Sequence, residues 1–229
     1  GRGRRAATTT MGSSGTPTRS AEWCFGKESV TKAIEAVGRG ELIVVVDDEG
    51  RENEGDLIMA AEKATTETIA FMIKYTSGVI CVSLSGERLE ELGMPQMVTN
   101  NQDAKCTAFT VSVDKKHGIT TGISAADRAA TFRAIADPKS TADDFCRPGH
   151  VFPLRAVAGG VVARDGHTEA GVDFSRLAGL APAGVLCEIC TDDCTGMMRV
   201  PELKAFSEKH GLVMTSIHDL ILYRQETNL

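Results

Sequence analysis

The chain has no uninterrupted apolar stretch approaching the ~20 residues that cross a bilayer. Its best run, residues 42–46, is only strand length, which excludes a membrane-spanning helix. It has no excess of basic side chains either: 25 Lys and Arg stand against 31 Asp and Glu, a formal net charge of -6. A general binder of nucleic-acid backbones is therefore not expected. Its seven cysteines are an odd number in a chain of 229 residues, which is long enough to form a core without covalent staples. That disfavours a secreted disulfide scaffold and points to a reducing, intracellular setting. No internal repeat is visible and no linker-like stretch divides residues 25–225, so one domain is expected.

Residues 1–20 hold four arginines, no acid and almost nothing apolar, so they cannot join a core. Residues 1–24 are read as a flexible leader and 25–229 as the domain. Such a leader suits a cytosolic protein with an added terminal segment, or the remnant of a transit peptide addressed to an organelle such as the plastid.

What is present is an ordinary globular composition, 42% hydrophobic and 24% charged. Val30, Ala33, Ile34 and Val37 recur at helical spacing before Gly38 and Gly40, and the strand 42–46 follows. A second apolar run, 57–61, precedes a helix capped by Thr66, a buried strand at 79–84 and a short helix opened by Ser85. Residues 95–105 read as a loop and 107–113 as an alternating strand, with a helix capped at Ser124 running to Ala136. Residues 147–150 read as a turn, and 154–157 and 161–163 as strands. Thereafter helix (168–178), strand (185–190), helix (201–210), strand (212–215) and helix (217–223) alternate. The expected fold class is α/β (α+β), a single domain with a mixed β-sheet flanked by helices.

Two segments concentrate chemistry. Residues 47–56 carry six carboxylates and one arginine directly after a buried strand, a density that repulsion makes costly unless a cation compensates. Hard divalent ions such as Mg2+ take carboxylate oxygens at such loops, and ligands collect at the carboxyl ends of α/β strands. A solvated acidic turn is the plainer reading. Residues 164–169 (RDGHTE) open a predicted helix, where free amides, Arg164 and Thr168 suit a phosphate and His167 suits a metal or a proton. An ordinary helix cap would look similar. His150 is held between two prolines and a glycine, as a general acid or base requires. Glu188 interrupts an otherwise apolar strand and needs a partner if it lies inside. Cys187 and Cys190 sit three apart on that strand, so they point to opposite faces and do not converge on a zinc ion.

Together these segments resemble the 3,4-dihydroxy-2-butanone 4-phosphate synthase family of riboflavin biosynthesis. The resemblance rests on DDEGRENEGDLIMAAE at 47–62, TTGISAADRAAT at 120–131, RPGHVFPL at 147–154, GGVVARDGHTEAGVD at 159–173 and PAGVLCEI at 182–189. It implies a homodimeric lyase, active sites near the subunit interface, that converts D-ribulose 5-phosphate to L-3,4-dihydroxy-2-butanone 4-phosphate and formate with Mg2+, or Mn2+ as a substitute. It also implies roles. Glu52 and His167 match the metal ligands, and His150 and Glu188 the pair required for catalysis, joined by Asp47 and Glu54 in the acidic loop. Arg51, Glu52, Asp56, Arg164, Asp165, Gly166, His167, Thr168 and Glu188 match the substrate site, Arg164 and Thr168 holding the phosphate. One departure is that the family commonly has an Asp-Asp-Gly turn after the last of these strands, whereas here Asp192-Asp193 is followed by Cys194. Two rival readings use the same residues: a Mg2+-dependent phosphatase of haloacid-dehalogenase type, built on the acids after residue 46 and on Asp192-Asp193, and a non-catalytic sugar-phosphate sensor. Partners other than the small-molecule substrate and a second copy are not expected, neither nucleic acid nor membrane.

Overall fold

The structure, a computed structural model, describes residues 22–229. Most of the expected leader lies outside the described residues. Its last three positions lie inside and dock on the domain: the Glu22 carbonyl accepts from His218 Nε2 at 3.1 Å, Trp23 packs against a core cluster, and the Cys24 N–H donates to one oxygen of Asp219 at 2.7 Å, the other oxygen taking the N–H of Phe25, the first domain residue, at 2.7 Å.

In chain order the elements are α1 (Lys27–Arg39), β1 (Ile43–Val46), β2 (Gly55–Ala60), α2 (Thr66–Tyr75), β3 (Cys81–Leu84), α3 (Gly86–Glu91), β4 (Val113–Lys115), α4 (Ala125–Ala136), β5 (Phe145–Arg155), α5 (His167–Leu177), β6 (Gly184–Glu188), α6 (Val200–His210), β7 (Val213–Ser216) and α7 (Ile217–Thr227). The strands form one mixed sheet in the order β4-β5-β3-β6-β2-β1-β7, with β1–β7 and β3–β5 parallel and the remaining pairs antiparallel. This is the mixed α/β domain expected from the sequence.

Both faces of the central strands are covered, which is why their residues are apolar without alternation. Val44, Leu57, Met59, Val82 and Val185 join Ile69 and Met72 of α2, Phe132 of α4 and Leu203 of α6 in one cluster. Ile43, Val45, Ile58 and Leu186 join Val30 of α1, Phe174 of α5 and Leu220 of α7 in the other. Helix caps set the element starts: the Thr65 side chain, one residue before the expected Thr66, accepts from the Thr68 amide, and Ser124 accepts from the Asp127 amide.

Three local expectations are corrected. Residues 147–150 are not a free turn but part of the eleven-residue β5. There the register against β4 shifts between Val113 and Asp114, so the Pro- and Gly-rich sequence marks a bulge. Residues 107–112 are not a continuous strand, and only isolated bridges at Phe109 and Thr110 precede β4. The partner segment contains Pro153, whose carbonyl accepts from Thr110 but which has no N–H to return. Residues 160–162 form a 3-10 turn instead of a strand, because the Val161 amide is drawn to the buried carboxylate of Asp173 on α5.

The turn after β6 contains the Cys194 departure. Cys194 has φ 56°, a left-handed conformation that side chains resist and glycine accepts. Cys194→Gly should therefore stabilise the domain by about 1 kcal/mol, raising Tm by roughly 2–4 °C in thermal denaturation.

Candidate active site

The period-2 alternation of the strands assembles the site. On β1 and β2, Ile43, Val45, Ile58 and Ala60 point to the α5 side, so Asp47 and Asp56, in phase with them, end on that side too. Leu186 and Cys81 share that face, which brings Glu188 of β6 beside Asp56, its direct cross-strand partner. Above this face the N-terminus of α5 presents His167 as its first residue. One cleft is lined by Arg51, Glu52, Asp56, Arg164, His167, Thr168 and Glu188, so the structure brings these expected residues together.

Asp47 organises the acidic loop. One of its oxygens accepts from the Glu54 amide at 2.9 Å, and the other accepts from the Glu52 amide at 2.9 Å and from Arg51 Nη1 at 3.0 Å. With both oxygens engaged and the residue buried, it folds the loop back on itself. Arg51 also pairs with Glu52 and lies 3.9 Å from Asp165, whose side chain is partly exposed. Glu54 stands beside Arg199, and burial, with Glu188 next, raises its pKa.

His167 is buried, and its Nε2–H donates to the Val45 carbonyl at 3.0 Å. This bond fixes the ring so that Nδ1 faces Glu52 and Asp56, each 3.7 Å away. Ligand atoms of Asp47, Glu52 and His167 all lie within 4.8 Å of one another. Contact with His167 and Arg51, working against desolvation, holds the Glu52 carboxyl down to about 2. Burial pushes Asp56 up, assisted by Glu188, Glu52 and Glu54. Burial would lower His167, but Asp56, Glu52 and Asp47 outweigh it and raise the imidazole.

This arrangement fits a hard divalent cation. Oδ1 of Asp56 is buried without a hydrogen-bond partner, a costly state that a cation or a bound hydroxyl would relieve. The donors are carboxylate oxygens and one imidazole, the set that suits Mg2+ or Mn2+. The acid density also favours positive charge at the Nδ1 face of His167.

Beside the acids lies an anion cradle. The first-turn amides of α5 follow Gly166, which provides no side-chain cap. A Cβ on Gly166 would come 2.3 Å from Arg164 Nη1 and 2.7 Å from Glu169 Oε2, so the close approach requires glycine. Arg164 donates to the fully buried Glu169 at 2.7 Å and to the Lys105 carbonyl at 3.0 Å. Its guanidinium is thereby aimed before any ligand arrives.

His150 does not line this cleft. It stands on β5 with Nδ1 2.6 Å from Asp114 Oδ2. Glu188 accepts from Ser77 Oγ at 2.8 Å. The sequence reading missed Thr107 and Phe109, which line the cleft, and Lys105, whose ammonium caps the Arg51 carbonyl at 2.7 Å. It also missed Arg199, which clamps the acidic loop by donating to the Glu52 and Asn53 carbonyls. These residues lie in polar, aperiodic segments, and only the tertiary fold reveals where they go. Cys81 is buried in the cleft lining, and desolvation drives its thiol pKa far up.

The Asp193 carboxylate, needed as a late acid by a haloacid-dehalogenase-type site, accepts from Thr191 and Thr195 within its own turn and does not line the cleft. Among the described residues, no helix is long and apolar enough to cross a membrane.

The family model for 3,4-dihydroxy-2-butanone 4-phosphate synthase matches residues 31–223. Riboflavin biosynthesis protein RibBA of Nocardia farcinica is 57% identical over 200 residues, which are 87% of this chain and 48% of that protein. RibBA of Rhodococcus erythropolis is 55% identical over 200 residues, 87% of this chain and 47% of that protein. The chain thus spans about half the length of the curated relatives it matches. A solved 3,4-dihydroxy-2-butanone 4-phosphate synthase in complex with two magnesium ions is similar at TM-score 0.83 and 50% identity, covering 87% of this chain and 97% of that one. The enzyme of Candida albicans is similar at TM-score 0.79 and 49% identity, covering 85% of this chain and 96% of that one.

Proposed function

Because the chain belongs to the 3,4-dihydroxy-2-butanone 4-phosphate synthase family, we propose that it is a carbon–carbon lyase acting in riboflavin biosynthesis. It converts D-ribulose 5-phosphate to L-3,4-dihydroxy-2-butanone 4-phosphate and formate. The observation that carries this reading is the cleft in which Asp56, with one buried oxygen lacking a hydrogen bond, Glu52 and the Nδ1 face of His167 meet beside a helix N-terminus and Arg164. Such a site takes a cation and a phosphate together, as a metal-dependent enzyme of a sugar phosphate requires.

Glu52 and His167 would hold Mg2+, or Mn2+ in its place, and such an ion would supply Lewis-acid polarisation that makes the C3 proton of the substrate more acidic. Arg164, Thr168 and the amides at 167 and 168 grip the phosphate, while Asp165 borders this turn. Arg51 and Asp56 meet the sugar hydroxyls, and Asp47 and Glu54 keep the acidic loop in shape. His150 and Glu188 move protons: removal at C3 gives an enediol, and loss of the C1 hydroxyl leaves a methyl ketone. A skeletal shift then expels C4 as formate. The water released by elimination is taken up at cleavage, so the reaction balances without a further reactant.

His150 stands outside the cleft lining, and the proposed homodimer accounts for this: His150 of a second copy completes the site of the first. The bacterial relatives lend the plastid alternative no support, and the cytosol is the proposed location. Incubation with ribulose 5-phosphate and Mg2+ should release formate and no inorganic phosphate. Phosphate release would favour the phosphatase reading, and tight binding without turnover the sensor.

Arg164→Ala should raise KM roughly tenfold to a hundredfold, since a hydrogen bond to a charged group is worth about 1.5–3 kcal/mol. It also strips a partner from buried Glu169, so thermal stability should fall. Steady-state kinetics at a temperature where the variant remains folded separates the two effects, and an unchanged KM would remove Arg164 from the phosphate site.

A further inference from the structure

We propose that Asp114 is a positioning residue that fixes the orientation and tautomer of His150, an inference that rests on reading His150 as a proton-transfer group. The carboxylate holds this residue twice. Oδ1 accepts the His150 backbone N–H at 2.9 Å, and Oδ2 lies 2.6 Å from Nδ1 of the ring. Asp114 is buried, whereas the His150 side chain is 43% exposed, so the ring is anchored at its base and presents its outer edge. An ionised carboxylate only accepts, which places the imidazole proton on Nδ1 and leaves Nε2 as the free nitrogen.

The third wall of this pocket is Gly122. It is held at φ +94°, and a Cβ there would come 2.1 Å from Asp114 Oδ2 and 2.7 Å from His150 Nδ1. The loop cannot retreat, because Asp127 accepts from the amides of Thr120 and Gly122, 3.0 Å each, and from the Thr120 hydroxyl at 2.6 Å. On the other side the Gly149 amide donates to Ser112 Oγ at 3.2 Å, which ties the bulge of β5 to the segment carrying Asp114. The motifs at 120–131 and 147–154 thus meet at one imidazole, and Asp114 is the group that joins them.

The consequence is specific. Asp114→Asn keeps the shape but offers an amide that can donate to Nδ1, which frees the ring to take the other tautomer. A positioning role predicts a loss in kcat of about 10²-fold or more with KM within about twofold, since a wrong tautomer removes proton transfer but not binding. Asp114→Glu, which retains the acceptor, should recover part of the loss. Gly122→Ala should fail in the same direction as Asp114→Asn.

The test combines kinetics of formate release on the full chain with Mg2+ and nitrogen-15 NMR of the histidine ring in the absence of substrate. The expected result is an Nδ1-protonated His150 in the parent, loss of that signature and of kcat in Asp114→Asn, and partial return of both in Asp114→Glu. An Nε2-protonated or mixed ring in the parent would overturn the proposal. So would full kcat in Asp114→Asn when His150→Ala is inactive. Full activity in His150→Ala would instead remove the catalytic reading beneath the proposal, and the proposal would fall with it.

Discussion

Replacing His150 by Ala should lower kcat by about 10²–10⁴-fold, the range for losing a general acid or base, while KM stays nearly unchanged. Within its own subunit the side chain touches neither the anion cradle nor the acid cluster at Glu52 and His167, and the groups proposed to bind phosphate and metal stay in place, so binding should survive its removal. Calorimetric titration with ribulose 5-phosphate in Mg2+ can report binding where turnover is too slow to follow. The proposed homodimer adds a second expectation. Mixing inactive His150→Ala and Glu52→Gln subunits should restore about a quarter of the parent activity after exchange, because one site of each mixed dimer then draws both intact residues. No recovery in verified mixed dimers would place His150 and Glu52 in the same subunit's site. Loss of binding in a folded His150→Ala variant would contradict its assignment to proton transfer.

Glu52→Gln and His167→Ala should each reduce activity at ordinary Mg2+ concentrations by at least about 10²-fold, with partial recovery at high metal. Each deletes a proposed metal ligand and leaves water to fill the position. The two variants should differ in stability. His167 bridges the buried acids and the Val45 carbonyl, so its loss leaves Asp56 with still fewer partners and should lower Tm. The Glu52 side chain is 30% exposed and its loss should be milder. Chelation with EDTA should abolish parent activity and Mg2+ should restore it. Full activity in chelator would defeat the metal assignment.

Much of this was legible in the sequence, for identifiable reasons. The buried strands β1, β2, β3 and β6 announce themselves as apolar runs, and α1, α2 and α6 by helical spacing and caps. The cleft was legible because it is built from two short segments, each dense in charge at an element boundary: the loop closed by Asp47 and the turn at Arg164–Thr168. What stayed hidden depends on pairing across the chain. Arg199 reaches the Asn53 carbonyl 146 positions away, and Asp114 reaches His150 across 36. Proline and glycine misled at 147–150, where composition says turn but the partner strand β4 converts the segment into a bulge. At 161–163 apolar content suggested a strand, yet the buried Asp173 captures the Val161 amide and curls the backbone instead.

In the proposed reaction the cleft holds the phosphate unreacted while the carbon skeleton is cut. Turnover of ribulose 5-phosphate labelled with carbon-13 at C4, followed by NMR in Mg2+, tests it most directly. The label should leave as formate, and the four-carbon product should keep its phosphate. Label retained in a five-carbon product, or appearance of inorganic phosphate in step with turnover, would contradict it.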